Sequence, residues 1–143
     1  SGPDAATRLI KRVTDGNEVI VKTDGNDLAV SNLLLVATED GSAVVVGTIV
    51  NYADEADALL GISAGGVTAT LSGEQNLAKN QPIRFEGDSA NAKAVFKGVG
   101  ASAGKNVQLQ LAFARAGVVT VTAIIRDKRD TYSSVTTGAK LVK

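Results

Sequence analysis

The chain has 143 residues with 15 basic and 15 acidic side chains, so its formal net charge is zero and it offers no electrostatic footprint for nucleic acid or an anionic membrane surface. It contains no His and no Cys, which excludes Ser-His-Asp and Cys-His nucleophile systems and the common zinc sites. Aromatic residues make up only 3% of the chain and Trp is absent, which argues against stacking platforms for single-stranded nucleic acid or sugars.

Residues 1–13 are expected to form a flexible tether, because this segment is largely polar and carries no strong periodicity. Two similar segments follow, residues 14–22 (TDGNEVIVK) and residues 23–31 (TDGNDLAVS). Their Asp-Gly and Asn residues favour tight turns, so we interpret them as two turns flanking a short strand. Asp and Asn oxygens are also ligands for hard cations, and calcium loops at Asp15 and Asp24 are therefore the alternative, although no Glu sits at EF-hand spacing.

A central β-strand is predicted at residues 43–50 (AVVVGTIV), where both alternating sets of side chains are largely apolar. Residues 32–37 are expected to pair with it as the first strand of a hairpin. The polar residues 51–57 end the central strand, and a second apolar run at residues 58–62 leads to a glycine turn. Residues 67–71 (VTATL) alternate and predict a strand with one face toward the core.

The second half of the chain predicts further strands and one clear hairpin. After a polar loop at residues 72–81, short strands are predicted at residues 82–85 and 92–97. Residues 107–125 contain a strictly alternating strand, a short turn and a returning strand. This gives about eight or nine strands and no convincing helix, which is the rhythm of a β-sandwich.

One all-β domain is therefore predicted over residues 14–126. Residues 127–143 have mixed charges and Ser-Thr runs, and we expect them to form a surface tail. No apolar stretch reaches the 18 or so residues that a membrane-spanning helix needs.

Catalytic groups are few. Asp54, Glu55 and Asp57 cluster in one turn, so hydrolysis by paired carboxylates is formally possible, but neighbouring acids in a polar turn are usually solvated. The glycine-rich residues 61–66 lack the Lys-Ser/Thr ending and the following helix of a phosphate loop. We predict that the chain is not an enzyme and holds no cofactor.

The order of motifs over residues 44–71 (VVVGTIVN, an acidic turn, DALLGIS and GVTATL) resembles the periplasmic copper chaperones of the PCu(A)C type. The closing residues 113–121 (FARAGVVTV) are similar to that family's "F-x-x-A-G-x-V-T-V" hairpin. The resemblance covers roughly residues 28–125, and its joint pattern is more specific than any single piece. Within the family the chain looks most similar to the LpqE-like lipoproteins of actinobacteria, which have lost the metal motif.

This resemblance implies a Greek-key, cupredoxin-like β-sandwich outside the cytoplasmic membrane, attached by an N-terminal lipid after removal of a signal peptide. In the chaperones a His follows the short strand that matches residues 67–71, and a His-x-Met lies on the strand that matches residues 92–97. The corresponding positions here are Ser72, Lys93 and Val95. Cu(I) is held by soft thioether, thiolate and imidazole donors, and a chain without Met, Cys or His offers none of them.

The leading prediction is a non-enzymatic, copper-chaperone-like domain that binds a protein at the cell envelope, such as an electron-transfer or oxidase complex. The alternative is a carrier of a small or lipidic ligand between the sheets. A basic partner-binding patch is predicted from Arg84, Lys93 and Lys97, with Ser72 nearby, on the loops that match the copper end. The competing interpretation is that these three cations are solvated edge charges that keep strands from pairing.

Overall fold

The computed structural model describes residues 9–13 by their backbone and residues 18–128 in full. Within these residues the chain forms twelve β-strands and no helix, and so contains no helix that could cross a membrane. In chain order the strands are β1 Leu9–Val13, β2 Glu18–Val21, β3 Leu28–Ala37, β4 Ala43–Asn51, β5 Asp57–Ala64, β6 Val67–Thr68, β7 Thr70–Gly73, β8 Asn76–Leu77, β9 Ile83–Phe85, β10 Ala92–Phe96, β11 Asn106–Phe113 and β12 Gly117–Arg126.

The strands form two layers that share one core. One layer contains β6, β5, β11, β12 and β1, and the other contains β2, β3, β4, β9, β10 and β7. The short strand β8 pairs with β5. Ile125 and Arg126, at the end of β12, pair in parallel with Leu35 and Val36 of β3 and join the layers along one side. The predicted all-β sandwich is confirmed.

The chain changes layers at Ala69, inside the segment predicted to be a single strand. β6 pairs with β5, whereas β7 pairs with β10 in the other layer. Ala69 is buried between them, and its N–H donates to the carbonyl oxygen of Ile62 at 2.8 Å. The predicted strand at residues 67–71 is therefore divided into β6 and β7. This division, together with the short strands β1 and β8, explains why the structure has more strands than the sequence predicts.

The predicted central strand is β4, which pairs with β3 on one side and with β9 and β10 on the other. Val45 and Ile49 point into the main core between the layers. Val44 points to the opposite face, where it packs in a second apolar cluster with Leu34, Val36 and Val95. The inward face of β4 is therefore buried, and its outward face is buried at Val44 and half-buried further along the strand, as expected for a strand whose two side-chain sets are both largely apolar.

The predicted C-terminal hairpin is also confirmed, because β11 and β12 pair in antiparallel register from Asn106 and Ile124 to Phe113 and Gly117. The inward residues of this hairpin belong to the main core and include Leu109, Leu111 and Val121. Alternation of apolar and polar side chains in this hairpin matches a sheet with one face on the core.

β1 adds to this hairpin by pairing in parallel with β12, from Leu9 opposite Val118 to Val13 opposite Thr122. Its five residues fall within the segment predicted to be a tether, so the sheet includes part of that segment. Residues 1–8, 14–17 and 129–143, which include the rest of the tether, Asp15 and nearly all of the predicted tail, lie outside the described residues.

Close packing within the second layer depends on Gly47. Its φ angle is 143°, in a region that residues with a side chain rarely adopt. A Cβ atom at this position would lie 3.0 Å from the Cα of Leu33 and 3.0 Å from the carbonyl oxygen of Ser31. These atoms belong to an irregular part of β3, where the register with β4 shifts between Ser31 and Leu34. The close approach of β3 to β4 therefore requires a glycine.

We expect Gly47→Ala to lower the free energy of unfolding by about 2 kcal/mol or more, because the added methyl group meets backbone atoms and the φ angle is strained. Gly61→Ala on β5 is the matched control, since a Cβ there meets no atom within 4 Å. Urea unfolding followed by far-ultraviolet circular dichroism measures both variants. Equal stability of the two variants would contradict this account of Gly47.

Candidate functional site

Three positions correspond to copper ligands in the resemblance to the PCu(A)C-type chaperones, and they lie on two adjacent strands. Lys93 on β10 is directly opposite Ser72 on β7, and Val95 is opposite Thr70. Ala92, Ala94 and Phe96 face the main core, so Lys93 and Val95 face away from it. Ser72, Lys93 and Val95 therefore share the outer face of the second layer, as a single binding site would require. We call these three residues the outer-face triad.

Lys93 is buried, with 3% of its surface exposed. Its Nζ donates to Oε2 of Glu86 at 2.5 Å, and the Glu86 side chain is itself only 14% exposed. Val95, two residues along the same strand face, is 4% exposed. The expectation that Lys93 is an exposed, partner-facing cation is wrong, because its side chain is buried beside Val95 and its ammonium group is neutralised by a carboxylate.

Arg84 and Lys97 are exposed, but the structure does not gather them into one patch. Arg84 lies between the buried residues Ile83 and Phe85 on β9, and Phe85 pairs with Ala92 at the start of β10. Lys97 follows the other end of β10, roughly 16 Å further along the strand at about 3.3 Å per residue. The two exposed cations thus flank the outer-face triad from opposite ends.

The loop between β9 and β10 is held by Asn91. Its Oδ1 accepts a hydrogen bond from the N–H of Arg84 at 2.7 Å, and its Nδ2 donates to the carbonyl oxygen of Pro82 at 2.9 Å. Glu86 begins this loop with a φ of 63°, in the left-handed region. These contacts fix the backbone on either side of Glu86, and so they help to position its carboxylate toward Lys93.

The acidic turn that follows β4 is organised by Asn51, the last residue of that strand, which is 1% exposed. Its Nδ2 donates to the carbonyl oxygens of Glu55 at 2.9 Å and Leu77 at 2.8 Å. Its Oδ1 accepts from the N–H of Ala53 at 2.9 Å. A single amide therefore closes the turn and ties it to β8.

Asp57 performs a similar structural role at the start of β5. Its Oδ1 accepts from the N–H groups of Ala58 at 2.8 Å and Arg115 at 2.7 Å, and its Oδ2 accepts from the N–H of Ala116 at 3.1 Å. Hydrogen bonds to a carboxylate are stronger than neutral ones, so Asp57 fastens the β11–β12 turn to β5. The sequence motif contains Asp57, but its partners could not be predicted from spacing alone.

The three acidic residues considered as a hydrolytic site each have a different partner in the structure. Asp54 is exposed and pairs with Lys79 at 2.6 Å, and Glu55 is exposed and pairs with Arg115 at 2.8 Å. The hydrogen bond and positive charge of Lys79 lower the pKa of the Asp54 carboxyl below its ordinary value. The buried carboxylate of Asp57 is occupied by backbone donors, so the three groups have different structural roles.

The predicted turn at Asp24 is confirmed. Asp24 and Gly25 have φ angles of 52° and 82°, and the N–H of Asn26 donates to the carbonyl oxygen of Thr23 at 2.8 Å. Over residues 9–13 and 18–128 there is no group of three or more His, Cys, Asp or Glu side chains that could hold a metal ion. Calcium binding at Asp24 gains no support from this arrangement.

Comparison with solved structures shows a PCuAC-type fold. The apo PCuAC domain from PmoF1 aligns with a TM-score of 0.63 and 23% identity over 78% of this chain and 99% of that domain. The copper-bound PCuAC domain from PmoF2 aligns with a TM-score of 0.63 and 18% identity, over 78% and 98% of the two chains. The apo PmoF2 domain aligns with a TM-score of 0.61 and 17% identity, over 79% and 96%.

No protein-family model matches the chain, and no curated protein matches its sequence. The predicted PCu(A)C-type fold is confirmed by the structural likeness, which extends over nearly the whole length of each PCuAC domain. The assignment to LpqE-like lipoproteins remains a prediction.

We expect Asp57→Asn to lower the free energy of unfolding by about 2 kcal/mol or more, because one backbone N–H would face an amide N–H instead of a carboxylate oxygen. Asp54→Asn is the matched control, since the Asp54 side chain is exposed and its ion pair with Lys79 is solvated. Chemical unfolding of both variants at neutral pH measures the difference. If Asp54→Asn destabilised the chain as much as Asp57→Asn, the structural role given to Asp57 would be refuted.

Proposed function

From the PCuAC-type fold of the chain, we propose that it is a non-enzymatic accessory module that binds another protein at the cell envelope and does not carry copper. The observation that carries this proposal is the outer-face triad. Where the resemblance places soft metal donors, this chain has a hydroxyl, an ammonium group and an isopropyl group. The ammonium group of Lys93 is paired with Glu86 and buried.

Donor chemistry argues against copper at this position. Cu(I) favours sulfur and imidazole ligands, and the chain has no Met, Cys or His anywhere in its 143 residues. The ammonium group of Lys93 already pairs with the Glu86 carboxylate, so this position holds an ion pair where the resemblance places a metal ligand.

A role in protein binding is supported by the setting of the two exposed cations. Arg84 and Lys97 flank the outer-face triad, and Asn91 holds the intervening loop by two hydrogen bonds. Charges on a rigid sandwich favour association with an oppositely charged surface. Arg84 and Lys97 would therefore favour a partner with acidic groups on its surface. We place that partner in the cell envelope and expect an electron-transfer or oxidase complex.

The same proposal places the chain outside the cytoplasmic membrane, attached through an N-terminal lipid. It also assigns no catalytic step to the chain. Asp54 and Glu55 pair with cations, and the carboxylate of Asp57 accepts three backbone hydrogen bonds. These contacts give each carboxylate a structural partner and support a binding role over acid-base chemistry.

For copper, we expect calorimetry with Cu(I) under reducing conditions to show no saturable heat for the unaltered chain. A variant with Ser72→His, Lys93→His and Val95→Met restores three soft or borderline donors on one face, and it should bind one Cu(I) ion. Glu86→Gln is included in that variant so that no carboxylate loses its ammonium partner. A one-to-one, sub-micromolar Cu(I) site in the unaltered chain would overturn the proposal, and failure of the folded variant would refute the matching of positions.

For the partner, we expect Arg84→Glu and Lys97→Glu each to weaken capture of the same complex from detergent-solubilised membranes, several-fold at low salt and less at high salt. Thermal stability should hardly change, because both side chains are exposed. Lys22→Glu is the matched control, since Lys22 is an exposed cation at the end of β2, away from β9 and β10. Equal capture by all three variants, or capture without any envelope complex, would contradict the proposal.

A further inference from the structure

The two layers part at one end and leave an apolar cleft of about 360 Å³. It lies between the β5–β6 turn and the loop of residues 97–105, at the opposite end of β4 from Asn51. The cleft is separate from the outer-face triad, which lies outside the second layer. Its volume falls within the lower part of the range found for small-molecule sites in proteins, about 300–1,000 Å³.

The floor of the cleft is the main core itself. Leu35 and Phe96 from one layer and Ile125 from the other line it, and all three belong to the buried core cluster. The rim carries Val67 and Val99, which are 45% and 41% exposed. A ligand chain in the cleft would therefore contact core side chains at its inner end and cover exposed valines at its outer end.

The walls are held in place by backbone hydrogen bonds. The N–H of Gly100 donates to the carbonyl oxygen of Gly41 at 2.8 Å, which ties the middle of the loop to the β3–β4 turn. At the other end of the loop, the N–H of Gly104 donates to the carbonyl oxygen of Ile125 at 2.7 Å, and the N–H of Ile125 donates to the carbonyl oxygen of Lys105 at 2.8 Å. The loop thus spans the gap between the layers instead of filling it, and the cleft is formed without a ligand.

The polar groups of the cleft point to the charge of its ligand. Among the described residues that line it, Lys105 is the single charged one, and Ser102 and Asn106 are its polar neighbours. Lys105 is exposed and forms no ion pair within the described part of the chain. An apolar cleft with one cation and two hydrogen-bonding side chains matches an acyl chain that ends in an anionic group.

We propose that this cleft binds a free fatty acid, with its acyl chain against Leu35, Phe96 and Ile125 and its carboxylate near Lys105. The ammonium group supplies charge complementarity, and the hydroxyl of Ser102 and the amide of Asn106 supply hydrogen-bond donors. This site does not depend on Arg84 or Lys97, so its test is independent of partner capture.

Dodecanoate below its micelle-forming concentration is the probe. Calorimetry on the 143-residue chain is expected to show saturable, one-to-one binding, and proton–nitrogen correlation spectra should show shifts at the amides of Val67, Val99 and Val107. Vesicles of phosphatidylglycerol test the bilayer as the other source of the same chemistry, and the chain should not sediment with them. Absence of saturable dodecanoate binding, shifts confined to other regions, or binding to vesicles alone would overturn the proposal.

Two pairs of variants locate the ligand. Ala101→Leu fills the cleft and should weaken dodecanoate binding by about tenfold or more, whereas Ala53→Leu, in the turn after β4, should not. Lys105→Gln should weaken dodecanoate binding by about two- to fivefold and leave dodecanol binding unchanged, with Lys97→Gln as its control. Unaltered affinity in both Ala101→Leu and Lys105→Gln would refute this site. If Ala101→Leu does not fold, the amide shifts caused by dodecanoate and the affinities of Lys105→Gln and Lys97→Gln still test whether the ligand lies in this cleft.

Discussion

Contact of β4 with apolar neighbours on both of its faces is the constraint from which much of the molecule follows. Its inward residues build the core between the layers, and its outward residue Val44 requires apolar neighbours on the other face, which β3 and β10 supply. Because that outer face is apolar, the cation that β10 places there cannot remain unpaired at low energetic cost. Glu86 reaches across from the preceding loop and neutralises it. The Lys93–Glu86 pair is thus a consequence of how the central strand is covered.

Periodicity was sufficient to predict β4 and the β11–β12 hairpin, because both carry patterns long enough to specify their environment. It could not predict the change of layers at Ala69, since Val67, Ala69 and Leu71 continue one alternating pattern while the hydrogen-bond partner changes. For residues 92–97 the sequence predicted a strand, but not the face of that strand on which Lys93 lies. Its burial could not be predicted, because whether an outward face is covered depends on contacts that a strand's own sequence does not contain.

The recognisable motifs of this fold are largely structural. Asn51 closes the turn after β4, and Asp57 joins β5 to the β11–β12 turn. These side chains satisfy buried backbone groups, a requirement that persists whatever the outer-face triad contains. That separation explains why the fold could be predicted from the motifs while the predicted basic patch was not reproduced as one surface. Asn51 and Asp57 thus meet a requirement of the fold, whereas the outer-face triad does not.

The pairing of β12 with both layers has a kinetic consequence. Its partners β1 and β3 come from the first part of the chain, so the contacts that close the sandwich join residues far apart in sequence. Ordering such contacts requires closure of long loops before their energy is gained, and topologies of this kind fold slowly. β12 is the last of the described strands, so its pairing with β3 forms only after the other described strands have been synthesised. A chain that lacks β12 therefore leaves the edge of β11 and the edge of β3 at Leu35 and Val36 unpaired, and unpaired strand edges promote aggregation.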